Sequence, residues 1–353
     1  MRVLFAGGGT GGHLIPGVAL AQSLRASGDE ALFLTAGRSL EASLLGEIPF
    51  VDLALERGRG APGMASAAAR LPGAATSAIS VVARWRPAVV VGLGGLASVP
   101  GAIAARVRRV PLALLEINAI PGRATRWLAP LARRVFVSSE EAARRLRRRA
   151  VLTGTPLRPE FESPPARAQA RAQFGLDRDR PTVLVLGGSQ GAAAVNRAVA
   201  GALEAIEARG AQLLWVTGPG KEEEARAACS ARPKLRASVR GYVREAAAAC
   251  AAADLAVCRS GAATVAELGA MGLPSIAIPY PHHRDRQQFW NARLLGEGTR
   301  VVEEESLARG RLGDEIGSLL DRPDALAAMG EACRRSARPR ARETALEALR
   351  AMA

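Results

Sequence analysis

Lysine is almost absent from this 353-residue chain, since Lys221 and Lys234 are the only two among 48 basic residues. No G-K-[ST] follows either glycine-rich turn, which excludes a P-loop nucleotidase. Aromatic residues make up only 4% of the chain while Gly alone counts 37, so close helix–sheet packing must carry much of the core. The cysteines (Cys229, Cys250, Cys258, Cys333) are scattered without a CxxC pair. That pattern fits reduced cytosolic thiols better than disulfides or a zinc site. No stretch reaches the roughly 18 uncharged apolar residues a spanning helix needs. No leader pattern precedes the first strand, so a cytosolic or peripheral membrane protein is expected. No helix-turn-helix, RNP-type aromatic motif or zinc finger accompanies the net charge of +15, and nucleic acid is not an expected partner.

What is abundant is arginine, and it is unevenly placed. Residues 1–158 carry 21 Arg and no Lys against 9 acids, while residues 159–353 carry 27 basic and 24 acidic groups. Clusters lie at Arg84/Arg86, Arg106/Arg108/Arg109, Arg133/Arg134 and Arg144–Arg149. Solvated helix faces in an arginine-rich proteome account for such a pattern, and so does an anionic membrane surface. The helix face with Ile79, Val81, Val82 and Trp85 beside Arg84 and Arg86 is the docking patch the sequence suggests. The competing reading is an amphipathic helix packed on the core.

Apolar runs alternate with helical segments. The runs are Val3–Ala6, Ala31–Thr35, Ala88–Gly92, Leu112–Leu115 and Val135–Val137, then Val183–Leu186, Leu213–Thr217, Leu255–Cys258 and Ser275–Ile278. Continuous apolar strands between helices predict an α/β protein with parallel sheets covered on both faces. The stretch from Thr155-Pro156 to Pro164-Pro165 is the best linker, which predicts domains at 1–158 and 159–336. Residues 337–353 read as a basic helix that returns to the first domain.

Two glycine turns occupy equivalent places in the halves. Gly7-Gly8-Gly9-Thr10-Gly11-Gly12-His13 follows the first strand, and Gly187-Gly188-Ser189-Gln190-Gly191-Ala192 follows Val183–Leu186. A strand, a tight turn and a helix N-terminus present N–H groups to phosphate. Two such units suggest two domains facing a cleft. The first turn also satisfies G-x-G-x-x-G, which keeps an NADP-dependent oxidoreductase in play with Arg38 for a 2′-phosphate. Against it, the second strand ends without the acid that would hold ribose hydroxyls. His13, one of three histidines, opens the following helix. A neutral imidazole there can take a proton at physiological pH, with the helix N-terminus lowering its pKa; the plain alternative is a helix cap.

The densest segment spans 258–292. Strand Leu255–Cys258 feeds Arg259-Ser260-Gly261 and a helix carrying Thr264 and Glu267, which offers N–H groups to a diphosphate and a carboxylate to ribose. Arg259 is a candidate counter-charge for that diphosphate. Gln287, Gln288 and Asn291 follow, amides that donate and accept and so suit sugar hydroxyls. A solvated surface stripe is the competing reading for any one of them.

Taken together, GGGTGGHLIPGVALA from Gly7, GGLASVPG from Gly94, EINAIPGRATRWLA from Glu116, GTPLR from Gly154, GGSQGA from Gly187 and CRSGAATVAELGAMGLPSIAIPYPHHRDRQQFWNA from Cys258 resemble the MurG family. Its members are UDP-N-acetylglucosamine-dependent transferases of peptidoglycan synthesis. The resemblance implies a GT-B fold of two Rossmann-like domains, the acceptor on the N-terminal one and the nucleotide-sugar on the C-terminal one. It implies an inverting transfer from UDP-N-acetylglucosamine to the muramyl C4 hydroxyl of undecaprenyl-linked lipid I, giving lipid II. It further implies no metal, no cofactor, a peripheral place on the cytoplasmic face of the cell membrane, and cell-wall synthesis proteins as partners. Asp177-Arg178-Asp179 fits a metal-binding D-x-D only formally, in a polar loop before a strand.

Carried across by position, Thr10, Gly11 and Gly12 match the family's first loop and His13 its general base, with Glu116 a second-rank catalytic candidate. Asn118 matches a loop residue near the donor sugar, and Arg158 a donor-contacting arginine. Ser189 and Gln190 match the phosphate-side loop, and Val243 the residue whose backbone reads uracil. Ala262, Ala263, Thr264, Val265, Ala266 and Glu267 match the nucleotide-binding turn and helix, with Glu267 on ribose, and Gln287 and Gln288 the sugar-facing amides. The chain departs from the family at Leu96, Ile117 and Thr155, where an aromatic, Gln and Asn are usual. A GT-B enzyme with an antibiotic or glycolipid acceptor is the nearest alternative.

Overall fold

The computed structural model describes residues 1–8, 11–55, 64–188, 190–283 and 285–353, with side chains described for all of these except 11, 39, 40, 64–68, 308 and 309. Thr10 and Ser189 lie outside the described residues. The chain divides into two compact units, one of residues 1–158 with 338–353 and one of residues 159–337.

The first unit is built on strands β1 (Arg2–Ala6), β2 (Glu30–Thr35), β3 (Phe50–Asp52), β4 (Val89–Gly92), β5 (Leu112–Glu116), β6 (Arg134–Val137) and β7 (Ala150–Leu152). They pair in parallel in the order β3-β2-β1-β4-β5-β6-β7. The second unit has β8 (Thr182–Leu186), β9 (Gln212–Val216), β10 (Ala237–Arg240), β11 (Leu255–Cys258), β12 (Ser275–Ala277) and β13 (Thr299–Val301), paired in parallel as β10-β9-β8-β11-β12-β13. Each sheet is thus a doubly wound αβα layer. β1 pairs with both β2 and β4, and β8 with both β9 and β11. At those strands the chain changes direction across the sheet, and a crevice opens beyond their carboxyl ends.

Four strands are not predicted by the sequence: β3, β7, β10 and β13. Each is an edge strand of three or four residues with half-exposed positions. The interior strands β1, β4, β5, β8, β9 and β11 are buried almost throughout and so read as continuous apolar runs. An edge strand buries less and mixes polar residues in, which removes that signal.

The shortage of aromatics has its counterpart in helices lying tight on the sheets. A Cβ at Gly101, in the helix Ser98–Arg108, would sit 2.3 Å from Ala6 Cβ. Among the aromatics that are present, Phe5 and Phe33 stack at 4.9 Å on neighbouring strands, and Trp215 is fully buried with Nε1 donating to Asn196 Oδ1 at 3.1 Å. Under β8, the buried Arg171 pairs with Asp254 Oδ2 at 2.6 Å and donates to the carbonyls of Ala252 and Arg178, so its charge is matched out of water.

In the first unit, the helix Ala341–Arg350 packs beside the helix Gly11–Ala26. Ala345, Leu349 and Met352 are buried, Arg350 meets Asp29 at 3.4 Å, and Arg133 Nη1 donates to the Met352 carbonyl at 3.2 Å. The helix face expected to dock on lipid is corrected by the structure. Val81 and Val82 are buried, and Ile79 and Trp85 pack against the same core. Those apolar residues are spent on the sheet, as an ordinary amphipathic helix requires. Among the described residues no helix is long and apolar enough to cross a membrane.

Among the described residues the four cysteines form no disulfide. Burial pushes the Cys258 thiol up to about 12 and Cys333 to about 11, while Cys250 is buried and Cys229 half-exposed. Thiolates are the reactive form, so iodoacetamide on the native protein should label Cys229 first and the other three only after unfolding. Peptide mass spectrometry before and after denaturation reads this; native labelling of Cys258 would contradict the packing.

Candidate active site

At the switch point of the first unit, three loops converge. The turn after β1 leads through Gly7 and Gly8 into the helix Gly11–Ala26, which carries Gly12 and His13 in its first turn. The turn after β4 contains Gly94 and Gly95, both at positive φ, before the helix Ser98–Arg108. A Cβ at Gly94 would lie 3.4 Å from the His13 ring, so the second turn runs directly past the imidazole. Ser98 Oγ donates to the Gly95 carbonyl at 2.7 Å and fixes that turn.

The third loop follows β5. Glu116 is 3% exposed, and its carboxylate is occupied. Oε1 accepts from the backbone N–H and side-chain amide of Asn118 at 3.0 and 2.8 Å, and Oε2 accepts from Gly122 N–H at 2.8 Å. Glu116 therefore works as a staple that shapes the 117–122 loop and orients Asn118. Its charge also reaches His13. Desolvation holds the His13 pKa below the ordinary value of 6.5, while the Glu116 carboxylate pulls it upward. Burial, rather than the helix N-terminus invoked from the sequence, is the main cause. The result is a neutral imidazole at pH 7, able to accept a proton.

Glu41 was not expected. Its carboxylate accepts from the N–H groups of Gly37 and Arg38 at 2.9 and 3.0 Å and lies against Gly8, where a Cβ would meet Oε1 at 2.2 Å. A carboxylate packed against the first glycine turn, beside Arg38, repels the phosphates a dinucleotide would bring there. Arg38 at the N-cap has no side-chain acceptor, so the sequence lacks the Ser/Thr-x-x-Glu signal that would have placed Glu41.

In the second unit the glycine turns after β8 and β9 interlock. Gly191 has φ +66° and Gly218 φ +90°, and a Cβ on Gly191 would stand 2.1 Å from the Thr217 carbonyl. Lys221 clamps the pair, its Nζ donating to the carbonyls of Gln190 at 2.6 Å and Gly191 at 3.3 Å. The rarity of lysine was the available sign that this residue was worth following. Val243 sits half-buried between β10 and the helix Ala246–Ala252.

After β11, Gly261 caps the helix Ala262–Met271. Ala262, Ala263 and Val265 have buried side chains, whereas Thr264 and Ala266 keep part of their surface. Val265 N–H already donates to the Gly261 carbonyl at 2.9 Å, so the N–H groups left for a ligand are those of the first helical residues. Glu267 is 9% exposed on the same helix. Ser260 Oγ is fully buried without a hydrogen-bond partner among the described residues, and the Ser260 carbonyl accepts from Asn291 Nδ2 at 3.4 Å. Gln287 and Gln288 open the helix Gln287–Ala292, and Gln288 Oε1 accepts from Tyr280 N–H at 3.0 Å.

Arg259 departs from expectation. Its Nη1 donates to the carbonyls of Ile278 and Pro279 at 3.1 and 2.9 Å, and its Nη2 pairs with Glu304. Already neutralised by a carboxylate, it is not a spare counter-charge for a diphosphate. Arg158 closes the first unit and is half-buried. Asp177 and Asp179 form a turn ahead of β8, at the strand end opposite the glycine turn, where Asp179 N–H donates to Asp177 Oδ1 at 3.1 Å. Among the described residues, no three His, Cys, Asp or Glu side chains cluster to hold a metal ion.

Residues 3–137 match the model of the glycosyltransferase family 28 N-terminal domain, and residues 182–345 that of the glycosyltransferase family 28 C-terminal domain. A protein of Desulforudis audaxviator is 36% identical over 371 residues, covering 100% of this chain and 99% of its own. One of Sorangium cellulosum is 39% identical over 349 residues, covering 94% of this chain and 84% of its own. Both are named UDP-N-acetylglucosamine–N-acetylmuramyl-(pentapeptide) pyrophosphoryl-undecaprenol N-acetylglucosamine transferase. The fold matches the crystal structure of Acinetobacter baumannii MurG with a TM-score of 0.75, 24% identity and 99% of each chain covered.

The sign of the Glu116 effect on His13 is testable without substrate. In wild-type protein the His13 ring should titrate below pH 6.5 in an NMR pH series. Glu116→Gln removes the opposing negative charge, so the midpoint should fall further. A midpoint that rises, or does not move, would mean the carboxylate does not act on the imidazole.

Proposed function

From the premise that the chain belongs to glycosyltransferase family 28, we propose that it moves N-acetylglucosamine from UDP-N-acetylglucosamine to the C4 hydroxyl of the muramyl sugar of lipid I, giving lipid II and UDP. The observation that carries the proposal is the neutral His13 at the head of its helix, beside the open Gly94 turn and under the influence of Glu116. Inverting transfer needs a base for the attacking hydroxyl, and that is the form of histidine this site maintains.

In the proposed step the muramyl O4 attacks C1 of the donor sugar as its proton passes to His13. The bond from C1 to the phosphate oxygen breaks, and UDP leaves with the electron pair. N–H groups at the heads of the helices Ala193–Glu207 and Ala262–Met271 suit the charge that develops on the diphosphate. Glu267 on ribose, the Val243 backbone on uracil, Gln190 on the phosphate side and Gln287 with Gln288 on the sugar complete the donor side. Asn118, held by Glu116, together with Thr10, Gly11 and Gly12, serves the reacting sugars, with Arg158 on the donor. Glu116 itself we assign to orienting the loop rather than to proton transfer. Neither metal nor cofactor takes part in this scheme.

His13→Ala should lower kcat by about 10²–10⁴-fold and leave UDP-N-acetylglucosamine affinity nearly unchanged, whereas Glu267→Ala should weaken UDP binding. Transfer of radiolabelled sugar and calorimetry with UDP measure the two. Retained turnover in the first variant, or unchanged UDP affinity in the second, removes the assigned role.

A lipid-linked acceptor also calls for a membrane-facing surface. The first unit exposes Trp127 (75%), Val107 (57%) and Leu131 (46%) on neighbouring short elements. Arg106, Arg108, Arg109, Arg123 and Arg126 lie on or beside the same elements and make no ion pair among the described residues. An exposed indole with unmatched guanidinium groups suits the anionic cytoplasmic leaflet, on which the protein would sit peripherally alongside other cell-wall synthesis proteins. Sedimentation with phosphatidylglycerol vesicles should be salt-sensitive and weakened by Trp127→Glu. Equal binding to phosphatidylcholine, or none to either, would reject this surface.

A further inference from the structure

Arg259 and Glu304 stand 45 residues apart in sequence, yet they bridge three strand ends of the second unit. Arg259 follows β11; it donates to the carbonyls of Ile278 and Pro279 just past β12, and Glu304 follows β13. The pair is largely shielded, with side chains 11% and 24% exposed, so water screens it far less than a surface pair. The guanidinium also lies 5.6 Å from the centre of the Tyr280 ring. The next contact reaches the donor side, because Tyr280 N–H donates to Gln288 Oε1 at 3.0 Å.

This chain of contacts has a chemical consequence for Gln288. A free amide offers both an acceptor and a donor to a sugar. Here Tyr280 N–H takes one of the two acceptor positions on the oxygen and fixes which way the amide faces, so the NH2 group is the end turned away from that backbone to donate to a ligand. Rotating the amide to present its oxygen would set NH2 against the Tyr280 N–H and lose that bond. The Pro279–Tyr280 backbone therefore decides which end of Gln288 a sugar meets, and Arg259 with Glu304 decides where that backbone lies.

We propose that Glu304 is a positioning residue for donor-sugar recognition, acting through Arg259 and the Pro279–Tyr280 backbone to hold Gln288 as a hydrogen-bond donor to a sugar oxygen. This rests on the donor-side reading of the second unit given above. It goes beyond that reading in giving Arg259 a brace's role and in adding a residue that no sugar-facing motif contains.

The effect belongs to the sugar and not to the nucleotide, which provides the test. Steady-state kinetics would give KM for UDP-N-acetylglucosamine, kcat, and Ki for UDP in wild type, Glu304→Ala and Glu304→Gln. Glu304→Ala should raise the donor KM about tenfold while the Ki for UDP stays within about twofold, because UDP has no sugar for Gln288 to hold. Glu304→Gln still accepts a hydrogen bond from Arg259 and should recover most of the loss. Added to Gln288→Ala, Glu304→Ala should have little further effect, as expected for two residues acting through one contact. Glu304→Asp keeps the charge but shortens the reach, and carries the same KM-against-Ki comparison if the alanine variant does not fold. An unchanged donor KM, a parallel rise in KM and Ki, or full additivity with Gln288→Ala would overturn the proposal. Wild-type protein that binds neither UDP nor UDP-N-acetylglucosamine would instead overturn the donor-side reading, and the proposal with it.

Discussion

Parallel pairing at one strand in each sheet governs everything else in this molecule. β1 lies between β2 and β4, and β8 between β9 and β11, so consecutive connections leave in opposite directions and cannot cover the carboxyl ends of those strands. Backbone N–H groups, helix N-termini and glycine turns collect at that uncovered place because nothing else fills it. His13 comes after β1 and the Gly94 turn after β4, and their proximity follows directly from strand order. In the second unit the Gly187–Gly191 turn and the Arg259–Gly261 turn follow neighbouring strands for the same reason.

The same constraint explains how much of the fold was legible in the sequence. A strand with a sheet neighbour on each side and helices on both faces has no polar option, and nine such runs stood out. β3, β7, β10 and β13 have solvent on one side, tolerate residues such as Asp52 and Arg240, and lost their pattern. Helix faces were harder to judge. The stripe with Val81 and Val82 carries flanking arginines, and charge beside apolar residues looks alike whether the stripe meets a sheet or a lipid surface. Trp127 and Val107, which do face outward, sit in short helical ends where no periodicity marks them.

At the site, residues whose chemistry depends on local position were legible, and those whose chemistry depends on a distant partner were not. The roles proposed for His13 and Glu267 rest on a place near the start of a helix after a turn, a setting that spacing reveals. Arg259 has the same local setting, yet Glu304, far along the chain, neutralises it and turns it into a brace. Glu116 is similar: a carboxylate ending a strand looks catalytic until its acceptor positions are found engaged by Asn118 and Gly122. An ionised side chain is defined by what offsets its charge, and that is a tertiary property. The close approach of Glu41 to Gly8 likewise separates this glycine turn from a dinucleotide site that shares its spacing.

The most direct measurement is the structure of the product. Purified protein given UDP-N-acetylglucosamine and a soluble lipid I analogue, with a chelator present, should form a disaccharide whose new linkage is β-1,4 by proton NMR, with one UDP released per bond made. An α-linked product, release of free N-acetylglucosamine without transfer, or no reaction with this acceptor would contradict an inverting transferase that uses His13 as its base.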